Sequence, residues 1–560
     1  MRSCTARDKN RCRRATDVRA SNSTVLRSEA GTREWQRMLE AFPKTSLPIS
    51  VVSLFAVLAS TGECRDNWPD HRGPQRNYHL RTTTEYPKQW SVATGDNIRW
   101  RAPLPETGHS GIAVWGDKLF LTCFRKLTVA DNRPKGTWVS ETRGYCLAAD
   151  SGKILWDCEL PGKRPNQVNG TFTDSTTPTP VTDGHHVWFI NAGGFMACHT
   201  MNGTRVWEKE FEVRTKHSAK QFQPFLHAGN LYYAMLRDPL DPKRRPQTVR
   251  NYDKNSKSGW PWMYVRCFNA MTGMATGILP QGISVHSKGA LGTVKSDTVL
   301  LHAKGGGHTP PEKPYGIGLS RLNAPQELLW ERPGLYFEGT HFVDEKHAYC
   351  FDKNDLFVLD LGSGKTIKRI RVRGTGRIVE FDEAKGRYAR TSSEARIKSR
   401  HLVTHRTNIG VGRHHFFMAG VPGVLGRIDV SSGEVRYLQV PIQVAHDDGQ
   451  RRFSWTDFEA GDGTGSGFVV EGDRRRLGHG FGHISAATPI VVNDHIYFCT
   501  ALGTVYVVDA TTKEFDATSL VSVNDLGQPG RTWTLSPFTA SNGCLFQRTS
   551  REIICIRADD

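Results

Sequence analysis

The chain opens on the end of a structural unit and closes on the start of one. This constrains its fold more than any other feature of its 560 residues. "NIRWRAPLP" (Asn97 to Pro105) is a lone strand-like piece carrying a tryptophan. "REIICIRADD" (Arg551 to Asp560) belongs to a unit that stops short. Between them a pattern repeats. Its clearest copy runs "SGIAVWGDKLFLTCF", a loop, then "GYCLAADSGKILWDCEL". This reads as three short strands joined by turns at Gly116-Asp117 and Asp150-Ser151-Gly152, with a fourth strand around Trp156. Seven such units are complete, and the eighth, from "LSPFTASNGCLFQRTS" onward, lacks its last strand. "NIRWRAPLP" supplies it, with Trp100 at the position of Trp156, Trp207 and Trp330. An open array would leave a bare strand edge that invites aggregation, and closure removes it. The expected fold is all-β: an eight-bladed β-propeller of four-stranded antiparallel blades, residues 97–560, its last blade closed by an N-terminal strand.

"AADSGKILW" (Ala148 to Trp156) resembles the repeat signature of the PQQ-like propellers, and "MNGTRVW" (Met201 to Trp207) is a weaker copy. That family includes quinoprotein alcohol dehydrogenases and the outer-membrane assembly factor BamB. "WPDHRGPQRN" (Trp68 to Asn77) resembles the segment before the propeller in exported members. The resemblance implies that each of the four tryptophans docks on the neighbouring blade. It fixes a fold and leaves the function open.

Residues 1–60 read as an N-terminal extension ending in a signal peptide. Its apolar run, "LPISVVSLFAVLA" (Leu47 to Ala59), follows Lys44 and ends in small residues. At 13 residues the run is short for a membrane span, so the mature form is expected to have no transmembrane domain. Met38 lies just upstream and is the expected true start. Residues 61–96 form an extended lead. Cys64 suggests a lipid anchor, but Glu63 beside it departs from a lipoprotein signal. The protein is expected in the periplasm or outside the cell, as a monomer.

With strands lettered A to D from the axis outward, A–B and C–D turns share one rim. B–C loops and D-to-A crossings share the other. The turns are short throughout. The long excursions, 124–143, 237–261, 303–316, 373–404 and 442–482, all belong to the loop class. Together they hold 27 Lys and Arg against 17 Asp and Glu, in a chain of net charge +18. The densest part is Lys243, Arg244, Arg245 and Arg250. A basic rim on an exported protein favours an anionic polysaccharide, a lipid headgroup or an envelope protein, and disfavours nucleic acid.

The segments leading into strand A approach the axis from the loop rim. They carry His109, Asp174, His286, Glu338, His341, His405, Arg406, Asn408 and His483 as axial binding candidates. Converging imidazoles suit a metal or an anion, while hydrogen-bonded loop histidines are the plainer reading. If Thr549-Ser550 form a two-residue turn, Cys544 and Cys555 fall opposite each other, in reach of a disulfide. The expected function is a binding or scaffold platform acting through the loop-rich rim, with no cofactor assigned. The alternatives are a PQQ- and calcium-dependent oxidoreductase, or a hydrolase or lyase using axial His and Asp. The quinoprotein pattern has an adjacent cysteine pair that this chain lacks, and no "CxxCH" haem motif occurs.

Overall fold

Strand burial divides each blade into an inner and an outer part. Strand B of blade 1, Lys118–Phe124, is buried along nearly its whole length. Strand C of blade 7, Thr504–Asp509, is buried on both faces as well. These inner strands lie between two neighbouring sheets, which explains their continuous apolar and β-branched runs. The outer strands, such as Ile154–Leu160 and Arg205–Glu210, alternate between exposed and half-buried residues. Blades splay apart with distance from the axis, so one face of each outer strand meets water.

The computed structural model describes residues 66–133, 137–163, 166–168, 174–213, 222–236, 263–283, 287–304, 316–323, 325–335, 342–352, 354–394, 403–459, 466–468 and 487–558. All lie in one unit, Glu63–Asp560. Eight blades follow one another around the ring. Blade 1 comprises Ala113–Trp115, Lys118–Phe124, Thr142–Ala148 and Ile154–Leu160. The strand A segments of blades 2 to 7 are Val181–Thr182, Phe225–His227, Ala290–Val294, Phe342–Val343, Val403–Val411 and Ile490–Val492. Blade 8 takes Thr539–Ser541, Cys544–Arg548 and Glu552–Ile556 from the C-terminal end and Ile98–Pro103 from the N-terminal side. Trp100 pairs with Cys555 and Arg101 with Ile554. The ring therefore closes through the strand that the sequence left unpaired.

The core lies between blades. Phe120, Cys146, Phe189 and Ala197 form one such cluster across blades 1 and 2. Tryptophans on the outer strands lock successive blades. Trp100 donates its indole N–H to Ala149 O, Trp156 to Met201 O, Trp207 to Ala270 O and Trp330 to Leu361 O, at 2.8–3.2 Å. Each ring lies against a left-handed glycine of the next blade's C–D turn: Gly152, Gly203, Gly273 and Gly364. A Cβ there would meet the indole at 2.9 Å or less, so glycine is required. In blade 5, Lys368 holds the tryptophan register and donates to the carbonyls of Val430 and Ser431.

Three features depart from the sequence reading. Blade 6 has six strands, because Arg377–Asp382 and Arg387–Glu394 form a hairpin along its outer edge. The first of these runs parallel to strand D, Val435–Gln439. The crossing leaves blade 5 from its outermost strand, so its first residues emerge at the perimeter and cover an open edge. The next crossing begins in the same way, as the hairpin Gln443–Asp447 and Gln450–Ser454. These two excursions therefore lie only partly on the loop rim. Blade 7 gains an inner strand, His79–Leu80, which runs parallel to its strand A.

The third departure concerns Cys544 and Cys555. Phe546, not Cys544, stands opposite Cys555, and Arg548 pairs with Ile553, so the turn is centred one residue later than expected. The two cysteines are diagonal neighbours and both are free thiols. The contact between them, with Arg557 and Arg99 near, brings the Cys544 thiol down to about 7. Its partner Cys555 is pushed up.

Candidate functional site

The lead reaches the segments that enter strand A of several blades. Trp68 pairs with Val114 beside the A–B turn of blade 1, and both bonds are 2.8–2.9 Å. Gly73, at φ +76°, turns the chain against the Trp68 ring, with a Cβ position 2.7 Å from it. From this turn two side chains reach those segments. Arg72 is fully buried and donates to the carbonyls of Gln223, Pro224 and Lys288, the last at 2.7 Å. Its guanidinium also sits 5.2 Å from the Phe225 ring centroid. His71 places Nδ1 3.1 Å from Thr179 Oγ1 and Nε2 3.0 Å from Lys288 Nζ. Lys288 also donates to Thr488 Oγ1 at 2.7 Å. The lead thus ties together blades 2, 3, 4 and 7. Asp70, whose carboxylate accepts Arg72 N–H at 2.7 Å, is raised above the usual carboxylate range by burial, against the pull of Arg72.

Two of the axial candidates meet. His109 Nδ1 lies 3.5 Å from Asp174 Oδ2, and both side chains are buried. Asp174 Oδ1 accepts from Thr176 N–H and Thr176 Oγ1, and Thr176 Oγ1 in turn accepts the His109 backbone N–H. Beside them Arg548, fully buried, donates to Ser110 Oγ, Thr122 O and Cys123 Sγ. Burial pushes the Cys123 thiol up further than Arg548 lowers it, so it stays protonated. These residues form a closed polar seam joining blades 8, 1 and 2. Asn408 serves its own hairpin, with Oδ1 3.0 Å from His415 Nε2. His405 and Arg406 lie on strand A of blade 6, their side chains outside the described residues. His286, Glu338, His341, His483, Lys243, Arg244, Arg245 and Arg250 also lie outside them. In the segment carrying His286, the described residue that meets the lead is Lys288, two positions later.

A Ser, His and Asp also converge elsewhere. His446 Nε2 is 3.1 Å from Ser91 Oγ and 2.9 Å from Asp525 Oδ2. A catalytic triad uses both ring nitrogens, one for the nucleophile and one for the carboxylate. Here both neighbours share one nitrogen, so the group is a clasp. It fastens the lead and the crossing hairpin to the outer strand of blade 7.

On the loop rim two of the excursions meet. Phe124, Leu127 and Trp138 of the blade 1 excursion pack with Val168 and with Phe468 of the crossing from blade 6 to blade 7. The Trp138 and Phe468 ring centroids are 4.3 Å apart, and Ser466 donates to Pro105 O. On the perimeter Phe381 stacks on Trp455 at 4.3 Å and 6°, with Tyr388 against the same indole. That cluster joins the excursions before and after blade 6.

A sequence model of the family described as outer membrane protein assembly factor BamB, a PQQ-repeat model, matches residues 136–239. The match runs from the edge of blade 1 strand C into blade 3 and contains both signature copies. The chain is an eight-bladed β-propeller with a PQQ-type repeat match in its first three blades. Among solved structures, this propeller is similar to a europium-containing methanol dehydrogenase at 9% identity, covering 86% of this chain and 89% of that one, with a TM-score of 0.48. It is similar to the quinohemoprotein alcohol dehydrogenase of Comamonas testosteroni at 11% identity, over 88% and 80%, with a TM-score of 0.48. It is also similar to BamB of Moraxella catarrhalis at 12% identity, over 84% and 99%, with a TM-score of 0.31. No curated protein matches the sequence.

Arg72, His71 and Lys288 bond to one another's segments and to the entries of blades 2, 3 and 7. Among the described residues no three His, Cys, Asp or Glu side chains are grouped to hold a metal ion. No described helix is long and apolar enough to cross a membrane.

Proposed function

We propose that this PQQ-like propeller is an exported, non-catalytic platform whose loop-bearing rim docks an anionic envelope partner, with acidic polysaccharide first among the candidates. The observation that carries the reading is the meeting of two excursions from separate connections, at Trp138 and Phe468. Packed together, such loops offer one continuous surface, whereas separate loops would first have to be ordered on binding. The excursions together carry an excess of Lys and Arg that favours an anionic partner, densest at Lys243, Arg244, Arg245 and Arg250, while the crossing 442–482 is itself net acidic. Lipid headgroups and acidic envelope proteins share this chemistry and are the further partners of the same reading. The His109–Asp174 pair favours no hydrolase, because both side chains are sealed from substrate.

The test is retention of the purified chain on immobilised polyuronate across a salt series. Elution at moderate salt, lost in a Lys243→Glu/Arg244→Glu/Arg245→Glu triple variant, is the expected result. Salt-independent passage of the wild type would refute docking. Quinone absorbance retained through gel filtration after addition of PQQ and Ca²⁺, together with alcohol-dependent dye reduction, would replace this function with the redox one.

A further inference from the structure

The lead covers the turn rim unevenly. It contacts blades 8, 1 and 2, reaches the blade entries, and leaves along blade 7. Against blades 4, 5 and 6 it leaves a cavity of about 710 Å³. That is a size usual for small-molecule sites. One wall is the lead itself, Gln75 to Asn77 and His79. The other walls are the A–B hairpins of blades 4 and 5 and the glycine backbone of blade 6 at Gly410 and Gly412.

The lead wall is held in an uncommon conformation. Arg76 (φ 60°) and Tyr78 (φ 69°) are both left-handed, three and five residues after the left-handed Gly73. A bulky residue there is costly and persists only when its surroundings enforce it. They do: Arg76 N–H bonds Gly73 O, Tyr78 N–H bonds Arg72 O at 2.7 Å, and Val491 N–H bonds Tyr78 O. The lead therefore fixes the cavity wall in advance. Phe342 and His79 form a ring pair 6.1 Å apart, and Gly410 makes room for the Phe342 ring, since a Cβ there would lie 2.4 Å from it. The His79 imidazole is pushed down to about 4, by burial first and then by Arg81, so it is neutral at ordinary pH.

The polar groups divide by charge. Arg76 and Lys346 supply two cations. Asp344 is engaged by its own hairpin, accepting from Lys346 N–H, His347 N–H and the Tyr349 hydroxyl. Glu345 is exposed at the tip of that hairpin. Gln75, Thr293 and Thr298 add amide and hydroxyl groups.

We propose that this cavity on the turn rim is a preformed binding site for a uronic-acid sugar. The Phe342 and His79 rings would take the apolar face of the pyranose, Gln75, Thr293 and Thr298 its hydroxyls, and Arg76 and Lys346 its carboxylate. The site lies on the rim opposite the platform and stands whether or not the loop rim docks a partner.

The experiment titrates the full chain with trigalacturonate and with its neutral galactose counterpart by calorimetry. Trigalacturonate is expected to bind at least tenfold more tightly than the neutral trimer. Lys346→Ala and Arg76→Gly should each weaken it roughly tenfold. The glycine keeps the left-handed backbone without strain, and Lys346 lies on an exposed turn, so neither change threatens folding. Thr293→Trp, which fills the cavity from an exposed position, should abolish binding. The Lys243/Arg244/Arg245 triple variant should leave it unchanged. No binding at millimolar sugar, equal binding of the neutral trimer, or binding lost in the triple variant but kept in Thr293→Trp would each overturn the site.

Discussion

Arg72 shows what one buried cation contributes to this ring. Its guanidinium satisfies carbonyls of two blades, and removing it would leave those acceptors buried and unpaired. Arg72→Met is expected to cost about 3 kcal/mol or more, read as a fall in the urea midpoint at constant m-value. His415 sets a pH limit. Burial pushes its imidazole down to about 3, far below the ordinary value of 6.5. The unfolded chain therefore takes up the proton first. The stability from neutral His415 is complete above pH 6.5 and is lost as pH falls toward 3. It amounts to roughly 3–5 kcal/mol over that window. Urea midpoints at pH 7 and pH 4.5 should differ clearly in the wild type and less in His415→Asn. None of these roles was legible at the residue level. "WPDHRG" is a recognisable string, yet nothing in it says that Arg72 and His71 turn inward. His109 and Asp174 stood out as axial candidates, and they meet, but in a sealed seam.

Individual strands and their locks follow closely from sequence. Trp156 and Trp207 each follow a turn glycine, Gly152 and Gly203, by four residues, and a strand of fixed rise carries the ring onto the next blade's turn. Gly152→Ala would set a Cβ 2.5 Å from the Ala102 side chain and 2.6 Å from the Trp100 ring, at a residue with φ +70°. It is expected to destabilise by about 1–3 kcal/mol and to loosen the closing blade first. Faster amide exchange across Ile98–Pro103 than across blade 4 would show this, and uniform exchange would refute it. The hairpins beside blades 6 and 7 were harder to place. Their residues lie in long excursions, and local pattern does not say whether a strand pairs with a blade edge or crosses the rim. The Cys544–Cys555 register slipped because a turn one residue later shifts the facing partner by two, and both turn placements suit the local residues.

Closure is a property of the whole molecule. A chain starting at Leu104 lacks Ile98–Pro103 and the lead, so blade 8 would present a bare edge and the blade entries would lose their bonds to Arg72. Such a chain is expected to elute as aggregate in gel filtration. Supplying residues 66–103 as a separate peptide should restore some monomeric material, and a monomeric truncated chain on its own would contradict the role given to the seam. The sequence by itself determined the all-β class, the eight blades and the joining of the two ends. Strand alternation, turn residues and a missing fourth strand are local signals that add up around a ring. Only the tertiary structure decided what the lead bonds to, which excursions touch, and where an open cavity remains. Those outcomes depend on side chains from segments hundreds of residues apart meeting in space, and no local pattern encodes that meeting.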